Sequence, residues 1–175
     1  MNLKKYIRSI PNYPKKGILF RDITTLLENP KAFSYVIKKM HTISKKIPHT
    51  KIAAIEARGF VFAAALAYLN KKPLVLLRKK NKLPEATISQ KFKLEYGVGI
   101  IEVHKDSLNK NDKVIVVDDL IATGGTALAS AKIVEKCKAK VSAFLFLIDL
   151  FDLSGNNKLL ARGYKTFKLI DFPGH

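Results

Sequence analysis

The stretch VIVVDDLIATGGT, residues 114–126, decides the fold predicted for this chain. Four apolar residues end in Asp118 and Asp119, and a loop of small residues then leads into an alanine-rich helical pattern. This order is typical of a buried parallel strand, a glycine loop and a helix N-terminus, where open α/β sheets bind ligands. The N–H groups of such a helix start favour phosphate, whereas paired carboxylates suit sugar hydroxyls or a magnesium ion. The stretch therefore predicts a site for a phosphorylated sugar.

Two better-known phosphate loops do not fit this stretch. A P-loop requires the pattern Gly-x4-Gly-Lys-Ser/Thr, and a dinucleotide-binding loop requires three spaced glycines and has no paired aspartates. A buried strand followed by an ordinary solvated turn is the structural alternative. A turn does not require an acidic pair, two glycines and threonines in this order, so we favour the ligand site.

The composition is that of a single globular domain. The chain has 175 residues, of which 47% are hydrophobic and 26% charged, and this length is sufficient for one proper core. No apolar run approaches the roughly 20 residues of a membrane helix, and residues 1–17 lack the apolar segment of a signal peptide. The single cysteine, Cys137, excludes an internal disulfide and a cysteine metal cage. We therefore expect a cytoplasmic protein with no membrane partner.

The net charge of +18 is unusual and could indicate a nucleic-acid partner. However, 27 of the 32 basic residues are lysines, and they are scattered as singles and pairs. Nucleic-acid-binding surfaces favour clustered arginines with aromatic side chains. We therefore expect a solvated lysine surface and no nucleic-acid partner, although part of the charge can attract an anionic substrate.

Strand patterns alternate with helix patterns along the chain. Strands are predicted at residues 51–55, 74–77, 113–117, 141–147 and 166–170. Helices are predicted at residues 30–46, 60–69 and 126–138. This alternation predicts a doubly wound α/β domain with a mostly parallel sheet. Residues 78–99 carry many charges and turn residues but no helical pattern, which indicates a functional loop or lid.

Four segments together resemble the adenine phosphoribosyltransferases, a branch of the type I phosphoribosyltransferases. They are FRDIT (20–24), EARGF (56–60), RKKNKLPEATISQKFKLEYG (78–97) and VVDDLIATGGT (116–126). Their order and spacing match the family, and the first and third segments are the most particular to the adenine enzymes. The resemblance implies the type I fold, with helices flanking a mostly parallel sheet in one domain over residues 1–175. It also implies a small base-binding hood over residues 1–27 and a flexible lid over residues 78–99.

The resemblance also implies the reaction. These enzymes are pentosyltransferases of purine salvage, which transfer 5-phosphoribose from 5-phosphoribosyl-1-pyrophosphate (PRPP) to adenine and produce AMP and pyrophosphate. Magnesium arrives with PRPP, so no metal site held by the protein alone is implied. Members of the family are homodimers, and a homodimer is therefore expected here.

The resemblance assigns most of the PRPP site to two loops. Asp118 and Asp119 would face the ribose hydroxyls, and the 5′-phosphate would be bound by Ala122, Thr123, Gly124, Gly125 and Thr126. The pyrophosphate would be bound by a loop with an often cis non-proline peptide and by the residues Ala57, Arg58, Arg78, Lys79 and Lys82. Arg58 is also expected to act in catalysis by neutralising the leaving group. For the lysines, a merely solvated charge run is an open alternative.

The remaining site residues implied by the resemblance concern the base and its proton. Phe20 would stack on adenine and Leu120 would cover its other face, although a core aromatic is an alternative for Phe20. The carbonyl of Leu19 would accept from the 6-amino group and the N–H of Arg21 would donate to N1, a pattern that a 6-oxopurine reverses. Glu95 and the adjacent Tyr96 match the catalytic pair of the family lid, where a carboxylate handles the imidazole-ring proton.

The chain departs from the family at two places. Glu85 and Ala86 replace the usual glycine-containing lid hinge, and alanines at 63–65 replace a glycine and a proline near a helix start. Two other functions are compatible with parts of the sequence. A xanthine or hypoxanthine-guanine phosphoribosyltransferase would share the PRPP motif, and a non-catalytic PRPP-sensing regulator would use the positive charge to bind nucleic acid.

Overall fold

A computed structural model describes residues 1–93 and 97–174 of the chain. The strands in these ranges are β1 (Arg8–Pro11), β2 (Leu19–Asp22), β3 (Lys51–Ile55), β4 (Leu74–Lys79), β5 (Thr87–Lys93), β6 (Val98–His104), β7 (Lys113–Ile121), β8 (Lys140–Leu150) and β9 (Thr166–Phe172). The α-helices are α1 (Thr24–Leu27), α2 (Pro30–Ser44), α3 (Gly59–Asn70), α4 (Gly125–Lys136) and α5 (Gly155–Leu160). Short 3-10 turns lie at Leu3–Tyr6 and Phe151–Leu153.

The described strands form one large sheet and one small ribbon. The large sheet has seven strands in the order β5-β6-β4-β3-β7-β8-β9, and β1 pairs with β2 separately. The pairings β3–β4, β3–β7, β7–β8 and β8–β9 are parallel, whereas β6 is antiparallel to both β4 and β5. This confirms the predicted mostly parallel α/β sheet. The direction of chain winding reverses between β3 and β7, which is where open α/β sheets form their ligand crevice.

Helices cover both faces of the sheet, and this explains the continuous apolar runs of its central strands. One core contains Ile115 and Val117 together with side chains of α2 and α3. The other core contains Val114 and Val116 together with side chains of α4 and α5. Successive residues of a strand point to opposite faces, so all four must be apolar when both faces are buried.

The predicted helix and strand positions agree with the structure to within two residues, except that β7 and β8 continue beyond their predicted ends at residues 117 and 147. α2 begins after Asn29, whose side chain accepts a hydrogen bond from the N–H of Ala32 at 3.0 Å, as its N-cap position predicts. The prediction that the central strand ends at residue 117 was wrong. β7 continues to Ile121 because its last residues stay paired with β8, so the two aspartates lie within the strand.

Residues 78–99, predicted as a loop or lid, are largely strand in the structure. β5 and β6 form an antiparallel hairpin with Thr87 opposite His104. The hairpin packs against α4, where the Lys136 ammonium donates to the carbonyl of Ser89 at 2.9 Å. None of the helices in the described ranges has the length and hydrophobicity needed to span a membrane.

Candidate active site

The loops that follow β3 and β7 lie side by side at the carboxyl edge of the sheet. α3 begins at Gly59, directly against the end of β7. A Cβ atom at Gly59 would lie 2.8 Å from the carbonyl oxygen of Val117 and 3.0 Å from Oδ1 of Asp118. Only glycine allows this approach, which brings the start of α3 next to the acidic pair.

A cavity of about 420 Å³ opens at this edge and is lined by half of the predicted site residues. Its walls include the four residues predicted to bind the base, which are Leu19, Phe20, Arg21 and Leu120. They also include four residues of the predicted phosphate loop, which are Ala122, Thr123, Gly125 and Thr126. Arg58 lies between the two groups and lines the same cavity. Residues from three distant segments therefore surround one volume large enough for a small-molecule ligand.

Arg58 contacts both halves of the cavity. Its Nε lies 3.0 Å from Oδ2 of Asp119, its guanidinium carbon lies 5.1 Å from the centre of the Phe20 ring, and its Nη1 donates to the carbonyl of Arg21 at 3.4 Å. The Arg58 side chain is 41% exposed, so solvent weakens the ion pair. The contacts nevertheless fix its direction, and the positive charge is held between the acidic pair and the aromatic ring.

The acidic pair is shielded from water. Asp119 is buried and Asp118 is partly buried, and Oδ1 of Asp118 accepts the N–H of Asp119 at 2.9 Å. Burial and the neighbouring charge of Asp119 raise the pKa of Asp118 well above its ordinary value. Burial also raises the pKa of Asp119, although Arg58 partly opposes this shift. Oδ2 of Asp119 is buried and accepts no well-aligned hydrogen bond from the described residues, but it lies 3.0 Å from Nε of Arg58, so the ion pair with Arg58 compensates its charge.

The loop after β7 is held by α5. The N–H of Gly155 donates to the carbonyl of Ala122 at 3.0 Å, and the Lys158 ammonium donates to the carbonyl of Thr123 at 3.0 Å. Gly124 has a φ of +80°, which favours glycine, and a Cβ there would lie 3.0 Å from Cα of Gly155. These contacts direct the loop carbonyls toward α5, and the N–H groups at the start of α4 stay available for an anion.

The loop after β3 presents charge next to the cavity. The peptide bond between Glu56 and Ala57 is cis, in agreement with the expectation from the family resemblance. Oε2 of Glu56 accepts from the N–H of Lys79 at 2.8 Å and from Nε of Arg78 at 3.2 Å. Burial would raise the pKa of Glu56, but these two donors hold it below its ordinary value. Glu56 therefore stays ionised and fixes the position of Arg78.

Several predicted residues do not line this cavity. Ala57, Arg78, Lys79 and Lys82 lie outside its walls, and the last two side chains are exposed to solvent. The predicted residues Asp118, Asp119 and Gly124 also lie outside the walls, although they adjoin the residues that line them. Arg78 is tethered to this segment because its Nη1 donates to the carbonyl of Lys82 at 3.1 Å. Glu95 and Tyr96, the predicted catalytic pair of the lid, lie outside the described residues.

Other cavity residues were missed by the sequence reasoning. Phe92 belongs to a quoted motif but was assigned no function, and its side chain on β5 lines the cavity. Leu150, Leu153 and Gly174 close the cavity from the C-terminal part of the chain. These three residues carry no local motif, so only their tertiary position identifies them.

Arg21 connects the base-binding strand to the C-terminal part of the chain. Its side chain is buried, donates to the hydroxyl of Ser9 and to the carbonyl of Pro173 at 2.7 Å, and lies 4.5 Å from the centre of the Phe172 ring. Burial lowers the pKa of Arg21, and the charge of Asp152 opposes that shift. The arginine side chain thus anchors β2, while its backbone remains at the cavity wall.

Comparison with known proteins gives a consistent result. The family model for the phosphoribosyl transferase domain matches residues 22–170. The chain is 61% identical to the adenine phosphoribosyltransferase of Pelagibacter ubique (strain HTCC1062) over 175 residues, which cover all of both chains.

Two solved structures superpose closely on this chain. The crystal structure of adenine phosphoribosyltransferase from Thermoanaerobacter pseudethanolicus matches with a TM-score of 0.93 and 46% identity, covering 97% of this chain and 98% of that one. The Saccharomyces cerevisiae enzyme, crystallised with an imino-altritol bisphosphate and adenine, matches with a TM-score of 0.88 and 32% identity, covering 96% of each chain. The chain belongs to the phosphoribosyltransferase family and, within it, to the adenine phosphoribosyltransferases.

Proposed function

We propose that the cavity at the carboxyl edge of the sheet transfers 5-phosphoribose from PRPP to adenine, giving AMP and pyrophosphate in purine salvage. One observation carries the assignment of the site. The residues expected to bind the base and four residues of the expected 5′-phosphate loop line the same cavity, and Arg58 lines it as well. In the reaction, N9 of adenine forms a bond to C1′ of the ribose. The bond from C1′ to the pyrophosphate oxygen breaks with its electron pair, and the imidazole-ring proton leaves the base.

The sugar half of PRPP fits the end of β7. The 5′-phosphate is bound by the loop Ala122–Thr126, including its threonine hydroxyls and the positive end of α4. The ribose hydroxyls donate to the acidic pair, which lies near the end of β7, shortly before the phosphate loop. Negative charge in this position also stabilises the positive charge that grows on the ribose ring in the transition state.

The pyrophosphate leaves toward the loop after β3. Arg58 belongs to this loop and is held by its ion pair with Asp119, and Arg78 is held beside the loop by Glu56. The exposed ammonium groups of Lys79 and Lys82 add mobile positive charge near Ala57. A fixed guanidinium fork binds a phosphate with paired hydrogen bonds, so Arg58 stabilises the charge that develops on the leaving group.

Adenine is read mainly by the backbone of β2. In this proposal the Leu19 carbonyl accepts from the 6-amino group and the Arg21 N–H donates to N1. β2 pairs only with β1 among the described strands, so its other edge has no ladder partner. Leu19 and Arg21 are two residues apart, so their backbone groups face the same edge of β2, which supports joint recognition of the base. Phe20 and Leu120 stack on the two faces of the ring.

Glu95 and Tyr96 complete the proposal as the catalytic pair of a lid over residues 78–99. Their assignment depends on the match of the segment LEYG to the family motif. A carboxylate at N7 would hold or accept the imidazole-ring proton while N9 attacks. A closed lid would also keep water away from the reactive ribose cation.

Magnesium is proposed to enter as part of the PRPP substrate. PRPP is a multiply charged anion and binds a divalent cation as its counter-ion. Arg58 and Arg78 supply the positive charge that comes from the protein. We also propose that the reaction takes place in the cytoplasm, because a multiply charged sugar phosphate does not cross a lipid bilayer unaided.

The chain is proposed to act as a single domain and as a homodimer. α3 covers β3 but leaves the same face of β4 uncovered, so Leu74 and Leu76 are each 36% exposed. Tyr68 and Leu69 of α3 are 83% and 42% exposed beside them. A contiguous apolar surface of this kind indicates a protein interface, and a second copy of the chain is the proposed partner. Sedimentation of the purified protein measures this directly.

Parallel assays with single bases test the function. Purified protein, PRPP and magnesium are incubated with adenine, hypoxanthine, guanine or xanthine, and nucleotide formation is measured. We expect AMP from adenine and at least about 10⁴-fold lower kcat/KM with the 6-oxopurines, because they leave buried backbone groups unpaired. Rapid product formation from hypoxanthine with none from adenine would overturn the assignment, and no turnover with any base would favour the regulator.

A further inference from the structure

A second cavity lies at the opposite end of the sheet from the proposed active site. Its volume is about 490 Å³, and it is formed where β7 and β8 begin, just before β9, and just after α2 ends. β7 has nine residues, so the two ends of this strand are roughly 25 Å apart. The second cavity is therefore separate from the site that binds adenine and PRPP.

Four lysines converge on this cavity from four segments of the chain. Lys113 and Lys140 are the first residues of β7 and β8, Lys165 directly precedes β9, and Lys46 follows α2. Within the described ranges, no carboxylate lines the cavity, and none of these four ammonium groups forms an ion pair shorter than 4.0 Å. The cavity therefore carries concentrated positive charge that no protein anion neutralises.

Nearby negative groups do not remove this charge. Asp112 precedes Lys113, but its carboxylate is buried, lies 3.1 Å from the Lys51 ammonium and accepts from the hydroxyl of Thr50 at 2.9 Å. The carboxyl end of α2 contributes about half a negative charge from its free carbonyls. Four lysines exceed this contribution, so the potential in the cavity favours an anion.

The floor of the cavity is apolar. It is formed by Ile43, Ile47, Pro48, Val141 and Phe167. Inorganic phosphate would contact only the lysines, and the apolar floor would stay exposed to water. A ligand with a flat ring and several phosphates would use both parts, and the volume lies within the usual range for small-molecule sites. We propose that this cavity binds a nucleoside polyphosphate, with the base against Phe167 and Pro48 and the phosphates among the four lysines.

Calorimetric titration with GTP in the presence of saturating AMP tests the proposal. Because AMP occupies the catalytic cavity, we expect each chain to bind one GTP molecule at the second cavity. The affinity for GTP should fall as the salt concentration rises. The double variant Lys113→Glu/Lys140→Glu should weaken GTP binding by about tenfold or more, because it places negative charge beside the phosphates. Phe167→Leu should weaken GTP binding but leave the binding of inorganic tripolyphosphate unchanged.

Lys31→Glu is the matched control. Lys31 is exposed near the start of α2, about 20 Å from its carboxyl end, so Lys31→Glu should leave GTP affinity within about twofold of the wild type. Lys113→Glu alone carries the same charge change and should weaken GTP binding several-fold. Circular dichroism melts show whether each variant is folded. The proposal is wrong if AMP-saturated protein binds no GTP, or if Lys31→Glu weakens binding as much as the double variant. AMP is also titrated alone. Absence of AMP binding would contradict the proposed catalytic function, and this result is distinguishable from absence of GTP binding.

Discussion

Replacing Gly155 by alanine should damage PRPP binding although Gly155 lies outside the cavity walls. A Cβ at this position would lie 2.7 Å from the backbone nitrogen of Gly124 and 2.9 Å from Cγ1 of Ile121, and it would also overlap the carbonyl oxygen of Ala122. Ordinary contact begins at 3.4 Å, so the loop must move by at least about 0.7 Å to accept the methyl group, and further where the carbonyl of Ala122 overlaps it.

The size of the effect follows from this displacement. Overpacking of a tight contact costs about 1–3 kcal/mol, and a misplacement of about 1 Å at a binding loop can reduce activity about 10²-fold. We therefore expect kcat/KM for PRPP to fall by about 100-fold. The KM for adenine should change by less than about threefold, because β2 and Phe20 do not contact Gly155.

Steady-state kinetics with each substrate varied in turn measures this difference. Gly163→Ala is the matched control, because Gly163 has a φ of +80° and a Cβ there would meet no atom within 4 Å. That variant bears only the backbone penalty of about 1–2 kcal/mol, so its melting temperature should fall while its PRPP kinetics stay normal. A folded Gly155→Ala enzyme with PRPP kinetics within twofold of the wild type would refute the role given to the α5 contact.

Three further variants test the assignment of the site. Phe20→Ala should raise the KM for adenine by about 5- to 150-fold, since base stacking contributes about 1–3 kcal/mol, and an unchanged KM would exclude stacking. Glu95→Ala should lower kcat by about 10²-fold or more with little change in PRPP affinity, and unchanged turnover would remove Glu95 from catalysis. Burial and the neighbouring charge of Asp119 raise the pKa of Asp118, so the ionised carboxylate destabilises the folded protein. The free energy of unfolding therefore falls as the pH rises from about 4, the ordinary pKa of an aspartate, through the raised pKa. Asp118→Asn should therefore raise the melting temperature at pH 7, and the gain should disappear as the pH approaches 4. The variant should have lower activity than the wild type at both pH values. A lower melting temperature at pH 7 would contradict this account.

The sequence predicted the features that depend on local pattern. The residues from Val114 to Val117 pack alternately against the two helical layers, and the sequence shows this burial as a continuous apolar run. The start of α2 is indicated by Asn29, which is the N-cap residue. The nearness of the loops after β3 and β7 follows from the rule that ligand-binding loops lie beyond the carboxyl ends of parallel strands, whereas the ion pair between Arg58 and Asp119 was not predicted.

The features that the sequence did not predict depend on distant contacts. β7 extends to Ile121 because β8 continues beside it, and an acidic pair alone does not indicate that pairing. The anchoring of Arg21 to Pro173 joins residues 152 positions apart, and the closing of the cavity by Leu153 depends on the same C-terminal path. Recognition of adenine by backbone groups leaves no trace in side-chain identity, so that assignment came from the family resemblance.

A crystal structure with AMP bound tests the central claim most directly. The account predicts the adenine ring on Phe20, its 6-amino group within hydrogen-bonding distance of the Leu19 carbonyl, and the 5′-phosphate within the loop Ala122–Thr126. The ribose hydroxyls should lie against Asp118 and Asp119. A nucleotide bound with its base and phosphate exchanged, or bound away from this cavity, would contradict the account.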